Sequence, residues 1–208
     1  MQVDEERFRQ LMQEQRERAR SARKDAGADA WKGEGSAASG LEETVFTGYT
    51  QMEGEGKVTA IIQNGQRVDS AAEGAEVSVV LDTTPFYGEG GGQVGDTGVL
   101  EAEGVSVDVV DTTKHEGVYL HRAVVSEGTL NVGDTLTAKV DEHRRTAIMR
   151  NHTAAHLLQA ALRKVLGSHV EQAGQLVNER HVRFDFTHSP PSAPEELRPG
   201  GEPGEPGI

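Results

Sequence analysis

The chain has 208 residues, room for one or two domains with a modest core. Its net charge of −13 argues against nucleic-acid binding by bulk charge, and the absence of cysteine excludes disulfides. No apolar run reaches the ~18 residues of a membrane-spanning helix, and the first residues are charged rather than signal-like, so a soluble cytoplasmic protein with no membrane partner is expected.

The pattern from Asp4 to about Asp25 predicts one exposed helix. Asp4 can cap its start, and Glu5 and Glu6 suit the positive end of the dipole. Phe8, Leu11 and Met12 give it only a thin apolar face, while Arg16, Arg18, Arg20, Arg23 and Lys24 crowd its second half. A helix of this kind more often bridges domains than stands alone. Gly33, Gly35 and Ser36 then mark a flexible link over 27–40.

From Thr44 to Val140 short strands recur. Lys57–Ile62 and Gln66–Asp69 flank Asn64-Gly65, the dipeptide that favours a type I′ hairpin turn. Strands are predicted at 76–81, 98–102, 105–110, 118–125 and 135–140, separated by Gly, Asp and Asn. Strands this short must close on themselves, which points to a small antiparallel barrel.

Within this region lies Thr84-Pro-Phe-Tyr-Gly-Glu-Gly-Gly-Gly-Gln-Val-Gly-Asp-Thr-Gly98. Its glycines permit positive φ and the close approach of another backbone. No Lys-Ser/Thr follows them, so it is not a P-loop, and strands rather than a helix follow, so it is not a dinucleotide fingerprint. A wide mobile hairpin is the plain alternative. The adjoining pair Phe86-Tyr87 could stack on a base or sugar.

A long helix is predicted next, with Asp141 as N-cap and Gly167 as its C′ residue. A helical wheel groups Ala154, Leu158, Leu162 and Val165 as the apolar stripe. His152 and His156 lie away from it, one turn apart, where one ion could bind both. The metalloprotease pattern needs Glu after the first His, and Thr153 stands there instead. Two histidines also fall short of a catalytic zinc, so the pair is half a site. His143, Arg144, Arg145, Arg150, Arg163 and Lys164 form a basic strip; Arg145 and Arg163 are candidates to meet phosphates, with a solvated helix face as the alternative. Residues 168–178 and 182–186 alternate as two further strands. His115, His121, His143 and His181 read as surface or strand histidines.

Four segments together resemble the alanyl-tRNA synthetase family: Thr84 to Asp96, Asn151-His-Thr-Ala-Ala-His-Leu-Leu158, Leu166-Gly-Ser-His-Val-Glu-Gln172 and Arg183-Phe-Asp-Phe-Thr-His188. The likeness runs in unbroken order from about residue 3 to residue 198. It implies part of an enzyme that attaches alanine to tRNA(Ala) with ATP, namely the zinc-dependent region that hydrolyses Ser- or Gly-tRNA(Ala). By the resemblance, His152 and His156 are zinc ligands, completed by a Cys-x-x-x-His further along. Gln172 lies in the editing pocket, and the barrel with its glycine loop (Gly90, Gly91, Gly92) helps place the tRNA acceptor end. The expected partners are that acceptor end and the remainder of the synthetase chain.

Some positions depart from the family pattern. Ala155 stands where Thr is common, and Gly-Glu-Gly-Gly-Gly replaces Ala-Glu-Ser-Gly-Gly. The Cys-x-x-x-His and the ATP-binding core are both missing. The family continues after Arg198 as a helix, whereas here Pro199-Gly-Gly-Glu-Pro-Gly-Glu-Pro-Gly-Ile208 follows. Suitable codons for that stretch, read one base along, give Arg-Val-Glu-Asn-Leu-Val-Asn, so a frameshift is one expectation and a disordered Pro/Gly tail the other.

The expected fold is α+β: an interdomain helix and link (1–40), a β-barrel with the glycine loop (41–140), the first part of an editing domain with a long helix packed on an antiparallel sheet (141–188), and the tail (189–208). Such a segment alone is expected not to aminoacylate and to edit weakly or not at all. A free-standing editing deacylase is an alternative, against which the arginine-rich helix ahead of Trp31 argues. A non-catalytic RNA-binding barrel is another.

Overall fold

The computed structural model describes residues 37–188. The predicted helix at 4–25, most of the link and the tail lie outside them.

Thirteen strands and one long helix make up the described residues: β1 (Val45–Phe46), β2 (Glu53–Gln63), β3 (Gln66–Val68), β4 (Ser70–Ala72), β5 (Glu76–Leu81), β6 (Thr83–Thr84), β7 (Gly98–Ala102), β8 (Val105–His115), β9 (Val118–Glu127), β10 (Thr129–Asn131), β11 (Thr135–Val140), α1 (Glu142–Leu166), β12 (Glu171–Val177) and β13 (Val182–Thr187). The architecture is α+β.

Strands β2, β5, β9, β8, β7 and β11 pair antiparallel in that order, and β11 pairs back onto β2, closing a six-stranded barrel. Closure leaves no free edge in the ring. Tight turns set the register. At Asn64-Gly65 both residues have positive φ, 52° and 74°, as the type I′ turn requires. Glu116-Gly117 repeats the device between β8 and β9.

Alternation fills the barrel. Val58, Val77, Val79, Leu81, Leu100, Val107, Val109, Ala123, Val125, Leu136 and Ala138 are all buried in one cluster. The short β4–β10 ribbon adds Ala71 and Leu130 to it. Ala60, Ile62, Val80, Val118 and Leu120 form a second cluster with Ala38, against which Ala37 and Leu41 pack. Arg67 clamps that segment by donating to the carbonyls of Ala37 and Ser39, each at 2.7 Å.

His121 is a strand residue, as expected, but a fully buried one. Its Nδ1 faces the Val79 carbonyl at 2.9 Å, and that oxygen can only accept, so Nδ1 carries the proton. Nε2 then accepts from the Thr84 hydroxyl at 2.7 Å. Burial pushes this imidazole down to about 4, against which the Val79 bond acts only partly. Phe86, expected as a stacking partner for a base, is instead core, with its ring edge-on to His121 at 5.3 Å.

Strand β11 runs directly into α1. Asp141 caps the helix, accepting from the Arg144 N–H at 2.9 Å, and its own N–H donates to the Thr97 carbonyl of the barrel at 2.8 Å. Gly167, with φ of 114°, ends the helix, and its N–H donates to the Arg163 carbonyl.

The predicted apolar stripe is not the packed face. Ala154, Leu158 and Val165 are exposed, as is Leu157 at 62%. The helix buries Arg145, Ile148 and Ala155 instead. Ile148 and Ala155 pack on Val177 of β12, with Val94 and Val182 beside them. The correction has a simple cause. Barrel and hairpin supply one small apolar patch, and the polar anchor at Arg145 decides which helix face turns towards it.

Candidate metal centre

The site is built on that anchor. Arg145 is only 5% exposed. Its guanidinium donates to the Asp96 carboxylate, through Nε at 2.9 and 2.7 Å and also from Nη2. It donates further to the carbonyls of Gly48 at 3.0 Å and Pro85 at 2.9 Å. Asp96 also accepts from the Tyr87 N–H at 2.8 Å. One planar fork thus ties α1 to three barrel segments, which a lysine could not do. Arg144 adds a bond to the Gly95 carbonyl at 2.7 Å and an ion pair with Glu179 at 3.3 Å. The expectation that Arg145 meets phosphates therefore fails, because its charge is buried and spent on Asp96. The basic strip loses both Arg144 and Arg145 to the fold.

Next to Asp96 the glycine loop turns tightly. The N–H and carbonyl of Gly90 exchange bonds with those of Gln93 at 3.1 and 3.0 Å. Gly91 and Gly92 have φ of 59° and 79°. A Cβ on Gly92 would stand 2.5 Å from the backbone oxygen of Gln175, so only glycine permits this approach. The loop is laced to β12: the Val177 N–H donates to the Gly92 carbonyl at 2.8 Å, and the Val94 N–H to the Val177 carbonyl at 3.1 Å. Gln175 Nε2 donates to the Gly91 carbonyl at 2.5 Å. Far from a wide hairpin, the loop forms a third strand-like partner of the β12–β13 hairpin.

This lacing carries Gln93, only 6% exposed, under the helix. Its Oε1 lies 2.5 Å from His152 Nδ1. A carboxamide oxygen can only accept, so Nδ1 donates, and Nε2 is the nitrogen of this ring that Gln93 does not engage. That is the state a metal-binding imidazole needs, with the second nitrogen held by an outer partner. The rings of His152 and His156 stack nearly parallel, 20° apart with centroids separated by 5.1 Å. The two imidazoles therefore lie side by side on successive turns of the helix. His152 is half-buried and His156 exposed. Asn151 fixes the same turn of helix by donating to the Asn178 carbonyl at 2.7 Å. Among the described residues no group of three or more His, Cys, Asp or Glu gathers at one point. Two imidazoles are donors that zinc accepts, and by themselves they fall short of a full ligand set.

The remaining expected site residues spread around this centre. Gln172 is exposed on β12, opposite Phe186 and beside a bulge, and makes no hydrogen bond to either histidine among the described residues. Gly91 is exposed with open space beside its Cα, Gly90 is partly covered, and Gly92 is held against Gln175. Arg163 is exposed near the helix end, 3.5 Å from the Ser168 carbonyl. Sequence reasoning missed Gln93 and Asp96, which sit inside the glycine motif but were overshadowed by its glycines. It also left His169 and His188 unassigned, and the hairpin brings them together with ring nitrogens 2.9 Å apart.

The family model described as tRNA synthetases class II (A) matches residues 1–144. The alanine–tRNA ligase of Pelotomaculum thermopropionicum is 48% identical over 201 residues, covering 94% of this chain and 23% of that protein. That of Acetivibrio thermocellus is 48% identical over 200 residues, covering 94% and 22%. The Bacillus subtilis enzyme is 44% identical over 198 residues, covering 95% and 22%. Alignments of this coverage run beyond residue 144 through α1 and the hairpin. The chain spans less than a quarter of the length of these relatives.

Proposed function

The chain belongs to the class II (A) tRNA synthetases and corresponds to a segment of alanine–tRNA ligase, and on that premise we propose that it contributes to hydrolysing Ser- or Gly-tRNA(Ala). The observation that carries this reading is the contact between Gln93 and His152, with His156 stacked beside it. An imidazole held through one nitrogen can serve a metal through the other.

In this reading His152 and His156 hold zinc together with ligands outside the described residues. When bound, zinc polarises an ester carbonyl or a water. The chain's own residues do the rest. Gln93 keeps the His152 proton on Nδ1, Arg145 and Asp96 hold the helix at a fixed height above the barrel, and Gln172 faces the substrate from β12. The glycine loop and the exposed Arg163 meet the acceptor end of tRNA(Ala). With two ligands among its described residues, this chain alone is expected to bind zinc weakly and not to turn over mischarged tRNA.

A zinc titration of the whole chain, alongside the His152→Ala/His156→Ala variant, tests the reading. The expected result is binding in the first and its loss in the second. Zinc binding indifferent to both histidines would overturn it. Binding of an acceptor-stem RNA that ignores zinc and survives the double substitution would favour a non-catalytic RNA-binding barrel, and brisk deacylation by this chain would refute its predicted inactivity.

A further inference from the structure

Beside His152, the end of the barrel opens into a cavity of about 360 Å³ lined by aromatic and thioether groups from Phe46, Tyr49, Met52, Tyr87 and Met149. Tyr49 is 88% exposed, an unusual position for so large a ring. It stands edge-on to Phe46 with centroids 5.0 Å apart at 77°. Phe46 is in turn stacked on Tyr119 at 5.5 Å and 7°. The Tyr49 ring is therefore braced from behind while its surface faces water.

The chemistry of the lining restricts what can enter. It contains no Asp, Glu or Lys, so nothing there attracts a cation by charge. Its single guanidinium, Arg145, is engaged with Asp96 and two carbonyls and has no charge to offer an anion. Polar groups gather at one end, where Gln93, His152 and the Tyr87 hydroxyl meet. Burial holds the Tyr87 phenol above its usual range, with the neighbouring phenols of Tyr49 and Tyr119 adding to the shift, so it stays a neutral donor; in this structure it donates to the Gly90 carbonyl at 3.3 Å. The volume lies at the lower end of the ~300–1,000 Å³ range of ligand pockets, enough for one small planar group.

We propose that this cavity is a stacking subsite for a single unpaired nucleobase at the end of an RNA strand, with Tyr49 as the platform and the polar end at Gln93 and Tyr87 reading the base edge. An uncharged planar ring with polar edges matches the lining, whereas a phosphate or an amine does not. The choice of a nucleobase among planar groups rests on the reading of this region as one that handles an RNA end.

The test uses the whole chain and a single-stranded RNA hexamer ending in C-C-A with 2-aminopurine as its last base, read by fluorescence quenching. Stacking on one aromatic ring contributes about 1–3 kcal/mol, so Tyr49→Ala is expected to weaken binding roughly 5- to 150-fold and to abolish the quench. Tyr49→Phe keeps the ring and is expected to keep both. Used as an unlabelled competitor against the fluorescent strand, a hexamer abasic at its last position is expected to compete roughly 5- to 150-fold less well than an intact one. The quench is expected to persist when zinc is stripped with EDTA, which separates this subsite from the zinc reading. Equal affinity for intact and abasic strands, or an undiminished quench in Tyr49→Ala, overturns the subsite while leaving the RNA reading in place. No binding of either strand overturns both.

Discussion

The carboxamide of Gln93 and the imidazole of His152, fifty-nine positions apart in sequence, meet at 2.5 Å. The contact decides which nitrogen of the histidine faces outward. Gln93 reaches it because Gly91 and Gly92 let the loop turn under the helix, and because β12 stitches the loop in place. Gln93→Ala is expected to leave the fold intact and to lower zinc affinity by about 10- to 100-fold, the usual effect of removing an outer partner of a ligand. A zinc titration followed through the His152 ring signals by NMR measures it. Unchanged affinity would remove Gln93 from the site.

Arg145 makes a second, separable demand. Arg145→Ala leaves the Asp96 carboxylate buried without its cation and is expected to destabilise the chain by about 3–5 kcal/mol. Arg145→Lys is expected to recover only part of this, since one ammonium cannot reach Asp96, Gly48 and Pro85 together. Urea unfolding of both variants checks the ordering.

The glycine loop offers an internal control. Gly91 and Gly92 both have positive φ, but only Gly92 has backbone against it. Gly91→Ala is expected to cost about 1 kcal/mol, and Gly92→Ala clearly more, as it forces β12 away. Thermal melts of the two variants, compared directly, would expose equal losses if the lacing to Gln175 were unimportant.

His121 sets a pH dependence. Its folded value, about 4, lies below the unfolded 6.5, so the unfolded chain binds the proton more readily. Stability is therefore expected to be full above about pH 6.5, to fall as the pH drops towards 4, and to lose no more from this group below that. His121→Gln is expected to flatten this slope, at some cost in stability at neutral pH. Chemical denaturation across that window reads the sign.

Much of this fold was legible in the sequence. The Asn64-Gly65 turn, the limits of β5, β7 and β11, and the Asp141 and Gly167 caps follow from local chemistry, where a residue's own φ or side-chain oxygen decides the outcome. The histidine pair was legible for the same reason, as a four-residue spacing on a helix. What escaped notice depends on distant partners. Arg145 looked like a surface cation because nothing nearby in sequence announces Asp96, which lies forty-nine positions away. The leucines of α1 looked like its packed side because periodicity reports which residues are apolar without saying which surface awaits them. The short ribbons β1–β6 and β4–β10 were missed because two or three residues carry too little pattern to register.

The absence of any intervening loop between β11 and α1 has a mechanical consequence. With Asp141 bonded to Thr97 on one side and capping the helix on the other, there is no hinge to absorb a tilt. The barrel and the first turns of α1 move as one lever. A strand end seated against Tyr49 and a cation gripped by His152 would be felt through the same rigid arm.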